Sequence, residues 1–226
     1  MIKKLLTVSI SVALATGAGF VHAQGNASAG KAKAASCAGC HGEDGNSAMP
    51  GFPKLAGQHQ GYLVKQLQAF KGGTRIAPMM APLALGLEDA DMQDIAAYYA
   101  SNKISANPAP TLPVSDDDDD APAKTDEQKK AELADLITAG SDLYRNGNLA
   151  SGVSACIACH GPHAEGNKPA SYPNLHSQHA DYLSKTLTDF KAAARTKNPD
   201  NMMNMIAKKM SDKDIKAVSL YISTLK

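Results

Sequence analysis

The sequence is poor in large aromatic side chains and in cysteine. Its 226 residues include no tryptophan, four phenylalanines and four cysteines, and aromatic residues make up 5% of the chain. All four cysteines fall into two C-x-x-C pairs, so none is left over for a disulfide elsewhere. Because aromatic side chains carry much of the buried apolar area of a core, we expect a bound apolar group to fill part of the interior.

The chain also lacks an excess of charge and, beyond residue 20, any long apolar run. It has 23 basic and 22 acidic residues, which gives no reason to expect nucleic-acid binding. No later stretch approaches the ~18 apolar residues of a membrane span, so we expect a soluble mature protein. Lys3 and Lys4, the apolar run at 5–20 and the small-residue site ending at Ala23 are typical of an export signal cleaved after about Ala23.

Each pair of cysteines is followed at once by a histidine. The two motifs comprise Cys37, Cys40 and His41, and Cys156, Cys159 and His160. C-x-x-C-H is the attachment pattern of a c-type haem, in which the thiols bond the macrocycle covalently and the histidine is the proximal iron ligand. A four-thiolate zinc site would leave both histidines unexplained and join segments 119 residues apart. A thioredoxin-like redox pair would need a βαβ context, which the sequence does not provide.

The two motifs belong to an internal duplication. Segment 58–75 recurs 120 positions later, and beyond Arg75 the offset becomes 123, so that Tyr98 matches Tyr221. We therefore predict one haem domain at 24–107 and another at 128–226. The linker at 108–127 holds four prolines and five consecutive aspartates. The formal charge is +1 for the first predicted domain, −6 for the linker and +4 for the second predicted domain. We expect this linker to be extended and at least partly mobile.

Apolar spacing and terminal residues predict mainly helix in both copies, with no convincing strand. The predicted helices span about 27–40, 62–71 and 88–100 in the first copy, and 129–145, 181–194 and 212–225 in the second. The predicted fold class is all-α, with two tandem domains that each enclose a haem.

Methionine pairs in both copies are candidates for the sixth iron ligand. They lie in predicted loops before the last helix of each copy, about 40 residues after the proximal histidine. The alignment of the copies favours Met80 and Met203, with Met79, Met202 and Met205 as alternatives. A methionine ligand raises the haem reduction potential relative to a second histidine. His59 and His179 are also duplicated and would give bis-histidine haems, although a surface or propionate-facing position is the simpler interpretation.

Two further duplicated pairs are candidates for the surroundings of the haem. Pro53 and Pro173 follow the proximal histidines by 12 and 13 residues, where a loop carbonyl could accept the imidazole N–H and orient the ring; the alternative is a simple turn proline. Arg75 and Arg195 could pair with haem propionates through charge-assisted hydrogen bonds or could face water.

With these motifs the chain resembles the dihaem cytochrome c4 family. The resemblance rests on the export signal, the two C-x-x-C-H motifs, Phe-Pro-Lys-Leu-Ala-Gly-Gln at 52–58, Tyr-Leu-x-Lys-Gln-Leu at 62–67 and the methionines before Asp-Ile-Ala-Ala-Tyr at 94–98. The second copy departs from the first at Asn174 and His176, which replace Lys54 and Ala56. The linker is also long and strongly acidic for this family.

The resemblance implies two class I cytochrome c domains related by a pseudo-twofold axis, with the haem propionate edges facing each other. It also implies thioether links to one haem at Cys37 and Cys40, with His41 and Met80 as its iron ligands. The other haem is linked at Cys156 and Cys159, with His160 and Met203 as its iron ligands. The implied function is electron transfer in the periplasm, with a quinol-oxidising complex as donor and a terminal oxidase as acceptor.

The mechanism we predict is outer-sphere electron transfer, without catalysis at iron. The alternatives are a dihaem enzyme or a cytochrome subunit of a sulfur-oxidising or peroxidase complex, which would need an open iron position, and a gas-binding sensor. We expect no nucleic-acid partner, and the sequence leaves open a loose association with the membrane.

Overall fold

The computed structural model describes residues 25–112, 124–198 and 201–226, which fold into helices and isolated β-bridges without any strand. The predicted export signal and the aspartate run at 116–120 lie outside the described residues. The first copy contains α1 (Ala27–Lys33), α2 (Ala38–His41), α3 (Gln60–Lys71), α4 (Met80–Leu85) and α5 (Asp89–Ser101). The second contains α6 (Asp126–Asn146), α7 (Ile157–His160), α8 (Ala180–Lys191), α9 (Met202–Ala207) and α10 (Asp212–Thr224). The all-α prediction is confirmed.

The first and last helices of each copy pack closely together at a glycine. A Cβ atom on Gly30 of α1 would lie 1.9 Å from the carbonyl oxygen of Asp94 in α5, and one on Gly140 of α6 would lie 2.1 Å from that of Ala217 in α10. Only glycine permits so close an approach of two backbones. Asp94 and Ala217 are related by the 123-residue offset, so the duplicated sequence builds the same helix crossing twice.

Polar residues at the helix N-termini explain why these helices begin where they do. Ser211 and Asp214 form a reciprocal capping box at the start of α10, and Thr125 and Gln128 form another at the start of α6. Each box satisfies backbone N–H groups that have no partner inside the helix.

The structure corrects three helix predictions. The predicted helix at 27–40 is interrupted by a 3-10 turn at Ala34–Ser36, so that Cys40 and His41 lie on the separate helix α2 and Cys37 immediately precedes it. The methionine segments predicted as loops form the short helices α4 and α9, and the side chain of Asn201 caps α9 by accepting from the Met203 N–H. Helix α8 ends at Lys191 rather than at 194 because Ala193 adopts a left-handed backbone with φ 54°.

Each domain has its own apolar core beside the predicted haem site. Leu63, Ile95 and Tyr99 are buried in the first domain, and a larger cluster around Tyr144 and Val218 is buried in the second. Cys37 and Cys156 pack against these clusters. Within the described ranges, no helix has the length and apolar character required to cross a membrane.

The two domains contact each other directly. Arg75 and Thr196 form an antiparallel bridge, in which the Ile76 N–H donates to Arg195 O and the Lys197 N–H donates to Thr74 O, both at 3.0 Å. At the end of the first domain, the Asn107 side-chain amide donates to three carbonyl oxygens of the second, those of Ser177, Gln178 and Ser223, at 3.0–3.1 Å.

The beginning of the predicted linker also lies on the second domain. The Leu112 side chain packs against an apolar cluster that contains Leu136, Ala217 and Leu220. This contact anchors the described part of the linker, up to residue 112.

Candidate haem sites

A single helical turn holds both cysteines and the histidine of each motif. In the first domain the N–H groups of Cys40 and His41 both donate to the Cys37 carbonyl, at 3.3 and 3.0 Å. Gly42, with φ 79°, ends the turn, and Gly161 ends the turn of the second motif with the same φ. The chain therefore leaves the motif sharply in both domains, as the positive φ of glycine allows.

Both motif histidines are buried, and a loop carbonyl engages one nitrogen of each ring. The Nδ1 atom of His41 lies 2.8 Å from the Pro53 oxygen, and that of His160 lies 3.1 Å from the Pro173 oxygen. Because a carbonyl oxygen only accepts, Nδ1 carries the proton and Nε2 is left with a lone pair for a metal. Burial lowers the pKa of both imidazoles, which favours this neutral form.

An aromatic ring beside each motif histidine was missed by the sequence prediction. Phe52 stands edge-on to His41, with ring centroids 6.4 Å apart, and Tyr172 lies at the same distance from His160. The signal was present, because Phe52 and Tyr172 are related by the 120-residue offset. Each ring therefore packs beside a buried imidazole.

A cavity of about 350 Å³ opens beside the first motif. Cys37, Cys40 and His41 line it, together with Met79 and Met80. Met80 is half-buried, whereas Met79 is 62% exposed. The cavity also reaches residues of the second domain, including Arg195.

The methionines of α9 show the same contrast in exposure. Met203 is half-buried, whereas Met202 and Met205 are 48% and 53% exposed. A thioether that binds iron inside a haem crevice must point inward, so the exposure of the side chains favours Met80 and Met203 among the candidates.

His59 and His179 do not line the cavity and lie instead between the domains. The His179 ring nitrogen Nε2 is 2.9 Å from the carbonyl oxygen of Ser47 in the first domain. His59 is 8% exposed, and its pKa is lowered by burial and by the charge of Lys168 in the second domain. Both histidines act as contacts between the domains in this structure.

The two duplicated arginines meet two duplicated tyrosines at the domain interface. The Arg75 guanidinium donates to Gln66 Oε1 at 2.5 Å and to the Tyr182 hydroxyl at 3.2 Å. Arg195 is 8% exposed and interacts with both Tyr62 and Tyr182. Burial of Tyr182 opposes its ionisation, but the two guanidinium charges outweigh burial and lower its pKa. Neither arginine simply faces water, and both line the cavity.

The residues at these sites fit a covalently attached haem and not a zinc ion. Within the described part of the chain, no three His, Cys, Asp or Glu side chains converge as a metal-binding group. Burial raises the pKa of the Cys37 and Cys156 thiols, the latter to about 11, and so favours neutral thiols at both positions. Paired thiols, a neutral buried imidazole and a half-buried thioether beside an apolar cavity are the groups that haem c requires.

Comparison with known proteins shows the same duplication. The cytochrome c family model matches residues 27–103 and 137–226. Cytochrome c4 of Azotobacter vinelandii is 44% identical over the full length of both chains. The crystal structure of reduced recombinant cytochrome c4 from Pseudomonas stutzeri superposes with a TM-score of 0.76 and 40% identity, covering 89% of this chain and all of that one.

A related protein with a different name also matches. The thiosulfate dehydrogenase electron acceptor of Stutzerimonas stutzeri is 35% identical and covers 85% of this chain and 80% of its own length. The two C-x-x-C-H turns and the two family matches together account for two covalently bound haem c groups. The chain thus belongs to the cytochrome c4 family of dihaem electron-transfer proteins.

Proposed function

We propose that this protein is a periplasmic electron carrier of a respiratory chain and has no enzymatic activity of its own. The observation that carries the proposal is the duplicated pairing of a buried, neutral imidazole with a half-buried methionine that follows it in the chain. In this proposal His41 and Met80 ligate one iron, and His160 and Met203 ligate the other. With two protein ligands on each iron, no position is left for a substrate.

Each group of side chains has a separate task. The four cysteines hold the macrocycles by thioether bonds, and the carbonyls of Pro53 and Pro173 fix the orientation and raise the basicity of the proximal imidazoles. Arg75 and Arg195 would pair with the propionates at the domain interface. Bound haem c supplies one-electron exchange between ferric and ferrous iron. The histidine and the methionine of each domain lie on short helices, and these would keep the protein from rearranging when the charge of the iron changes.

The ligands can be tested by substitution of the methionines. Ferric iron bound to a thioether has a weak absorption band in the far red, and we expect Met80→His and Met203→His each to remove about half of it. Each substitution should also lower the potential of one haem, because a second imidazole stabilises ferric iron. The matched controls are Met79→Leu and Met202→Leu, whose exposed side chains should leave band and potentials unchanged. If a control abolishes its share of the band instead, the ligand assignment is wrong.

The absence of enzymatic activity can be tested with carbon monoxide. A fully ligated ferrous haem should not bind it at neutral pH, whereas an enzyme or a gas sensor with an open iron position would. Rapid binding to the native reduced protein would contradict the proposal and favour a dihaem enzyme.

The proposed donor is a quinol-oxidising complex, and the proposed acceptor is a terminal oxidase. The relatives named as thiosulfate dehydrogenase electron acceptors support a second candidate donor, a dehydrogenase that oxidises an inorganic sulfur compound. The second domain carries a formal charge of +4 against +1 for the first, so the second domain is the better docking face for an acidic partner.

Charge reversal on the two domains tests this docking face. Lys208 is exposed beside α9, and we expect Lys208→Glu to slow electron transfer with an acidic partner at low ionic strength but not at high ionic strength. Lys65→Glu makes the same change on the exposed face of α3 in the first domain and is the matched control. Equal effects of the two variants would contradict a docking face on the second domain. The two candidate donors are distinguished by measuring the rate at which a quinol-oxidising complex and a thiosulfate dehydrogenase each reduce the protein.

A further inference from the structure

Two buried glutamines join the domains through reciprocal hydrogen bonds. Gln178 is 5% exposed and bonds twice to Lys54 of the first domain: its Oε1 accepts from the Lys54 N–H and its Nε2 donates to the Lys54 carbonyl, both at 2.9 Å. Gln58 is 7% exposed and makes the same two bonds with Asn174 of the second domain, at 2.9 and 2.8 Å. The orientation of each side-chain amide follows from these partners, since an N–H only donates and a carbonyl only accepts.

The departure at Asn174 does not disturb this arrangement. Gln58 bonds to the main chain of Asn174, and Gln178 bonds to the main chain of Lys54. The side chains at these two positions differ, but main-chain groups are present in any residue other than proline. The interface therefore keeps its pseudo-twofold character although the sequence repeat is broken there.

The peptide groups that the glutamines contact are also the ones that hold the proximal histidines. The Lys54 N–H, which donates to Gln178, belongs to the same peptide unit as the Pro53 carbonyl, which accepts from His41. In the second domain, one peptide unit likewise links Gln58 to His160, through the Asn174 N–H and the Pro173 carbonyl. Each proximal imidazole is thus connected through one peptide group to a side chain of the other domain.

We propose that Gln58 and Gln178 are positioning residues, each of which tunes the iron ligand of the opposite domain through the peptide unit between them. Hydrogen bonds in a chain polarise one another, so an acceptor at the peptide N–H makes the carbonyl of the same unit a stronger acceptor. A stronger acceptor at Nδ1 increases the basicity of the imidazole and stabilises ferric iron. This inference rests on the proposed ligation by His41 and His160.

The expected effect is crossed between the domains. Gln178→Leu removes the acceptor from the Lys54 N–H, so we expect it to raise the potential of the haem bound by His41 and to leave the other potential unchanged. Gln58→Leu should raise the potential of the haem bound by His160. Loss of a direct hydrogen-bond partner of a metal ligand changes metal affinity or activity by about 10- to 100-fold. One added bond in a chain changes the strength of the next hydrogen bond by roughly 10–30%. Applied to the ratio of oxidised to reduced iron, these two factors give a change of at most about fourfold, or about 35 mV.

The experiment is a redox titration of the full dihaem protein, followed by the resolved NMR signals of the methyl groups of each haem. Hydrogen exchange of the Lys54 and Asn174 amides provides a readout independent of the haems, and we expect each amide to lose protection only in the glutamine variant of the opposite domain. Gln178→Glu retains the acceptor and adds negative charge, so it should lower the potential of the haem bound by His41. Opposite shifts from Gln178→Leu and Gln178→Glu would not result from mere loosening of the interface.

Asn107→Ala is the matched control, because it removes three hydrogen bonds between the domains and one from the Lys54 ammonium but leaves the main-chain bonds of both peptide units in place. The proposal is overturned if the glutamine variants shift both haems alike, shift the haem of their own domain, or behave like Asn107→Ala. Failure of the proposed ligation is recognised separately, because the far-red band would then be missing from the wild-type protein before any glutamine is changed.

Discussion

Replacing Gly30 by alanine tests the close helix crossing of the first domain. In an isolated helix this change is favourable by about 1 kcal/mol, because glycine has the greater backbone freedom to lose. In the folded protein the new Cβ would lie 1.9 Å from the Asp94 carbonyl oxygen and 2.9 Å from the Cβ of Tyr98, where ordinary contact begins near 3.4 Å. Helices α1 and α5 would have to separate by roughly 1.5 Å, the difference between 3.4 and 1.9 Å.

The change in the free energy of unfolding is the difference between the steric cost of the added Cβ and the gain in helix propensity. Overpacking a core contact costs about 1–3 kcal/mol, and the upper end applies because the added Cβ meets a main-chain carbonyl group, which cannot rotate away as a flexible side chain could. After the gain in helix propensity, we expect Gly30→Ala to lower the free energy of unfolding by about 2 kcal/mol. For a domain of this size the melting temperature should fall by about 8–16 °C.

Thermal unfolding followed by far-UV circular dichroism measures the change, and hydrogen exchange locates it in α1 and α5. Gly86→Ala is the matched control in the same domain: Gly86 has φ −82°, and an added Cβ there meets no atom within 4 Å. A Gly30→Ala protein that melts at or above the wild-type temperature would refute the steric argument, because helix propensity alone would then decide the outcome.

Three further predictions concern backbone strain, acid stability and haem content. Ala193 is exposed with φ 54° where the first domain has a glycine, so Ala193→Gly should stabilise the second domain by up to about 1 kcal/mol in denaturant titration. Hydrogen bonds from Lys33 lower the pKa of Asp91 and Asp94; the resulting stability is present above the ordinary carboxyl pKa of about 4 and is lost as the pH falls below it. Lys33→Met should therefore destabilise the first domain at pH ~7 but not at pH ~2, and equal destabilisation at both would contradict the ion-pair explanation. Alanine at both cysteines of the second C-x-x-C pair should reduce iron from two atoms per chain to one; retention of both would contradict covalent attachment there.

Much of the fold could be predicted because its signals are local. The C-x-x-C-H motifs, the apolar spacing of α3 and the acidic first turns of α5 and α10 each involve residues within a few turns of one another. Because of the duplication, each of these local patterns occurs twice in the chain. Pro53 and Pro173 could therefore be identified as a pair. Errors occurred where a backbone angle decides the outcome. Helix α8 ends early because the backbone of Ala193 is left-handed, a conformation that an alanine in the sequence does not predict.

The sequence by itself determined the cofactor class, the two-domain organisation and the helical fold, because covalent attachment and helix periodicity both depend on short, fixed spacings. The tertiary structure decided which methionines are half-buried and which are exposed, how closely α1 and α6 approach their partners, and which residues bridge the domains. Gln58 and Gln178 bond to main-chain atoms 116 and 124 residues away, and no spacing rule relates a side chain to a distant peptide group. Such contacts exist only once both domains have folded and docked.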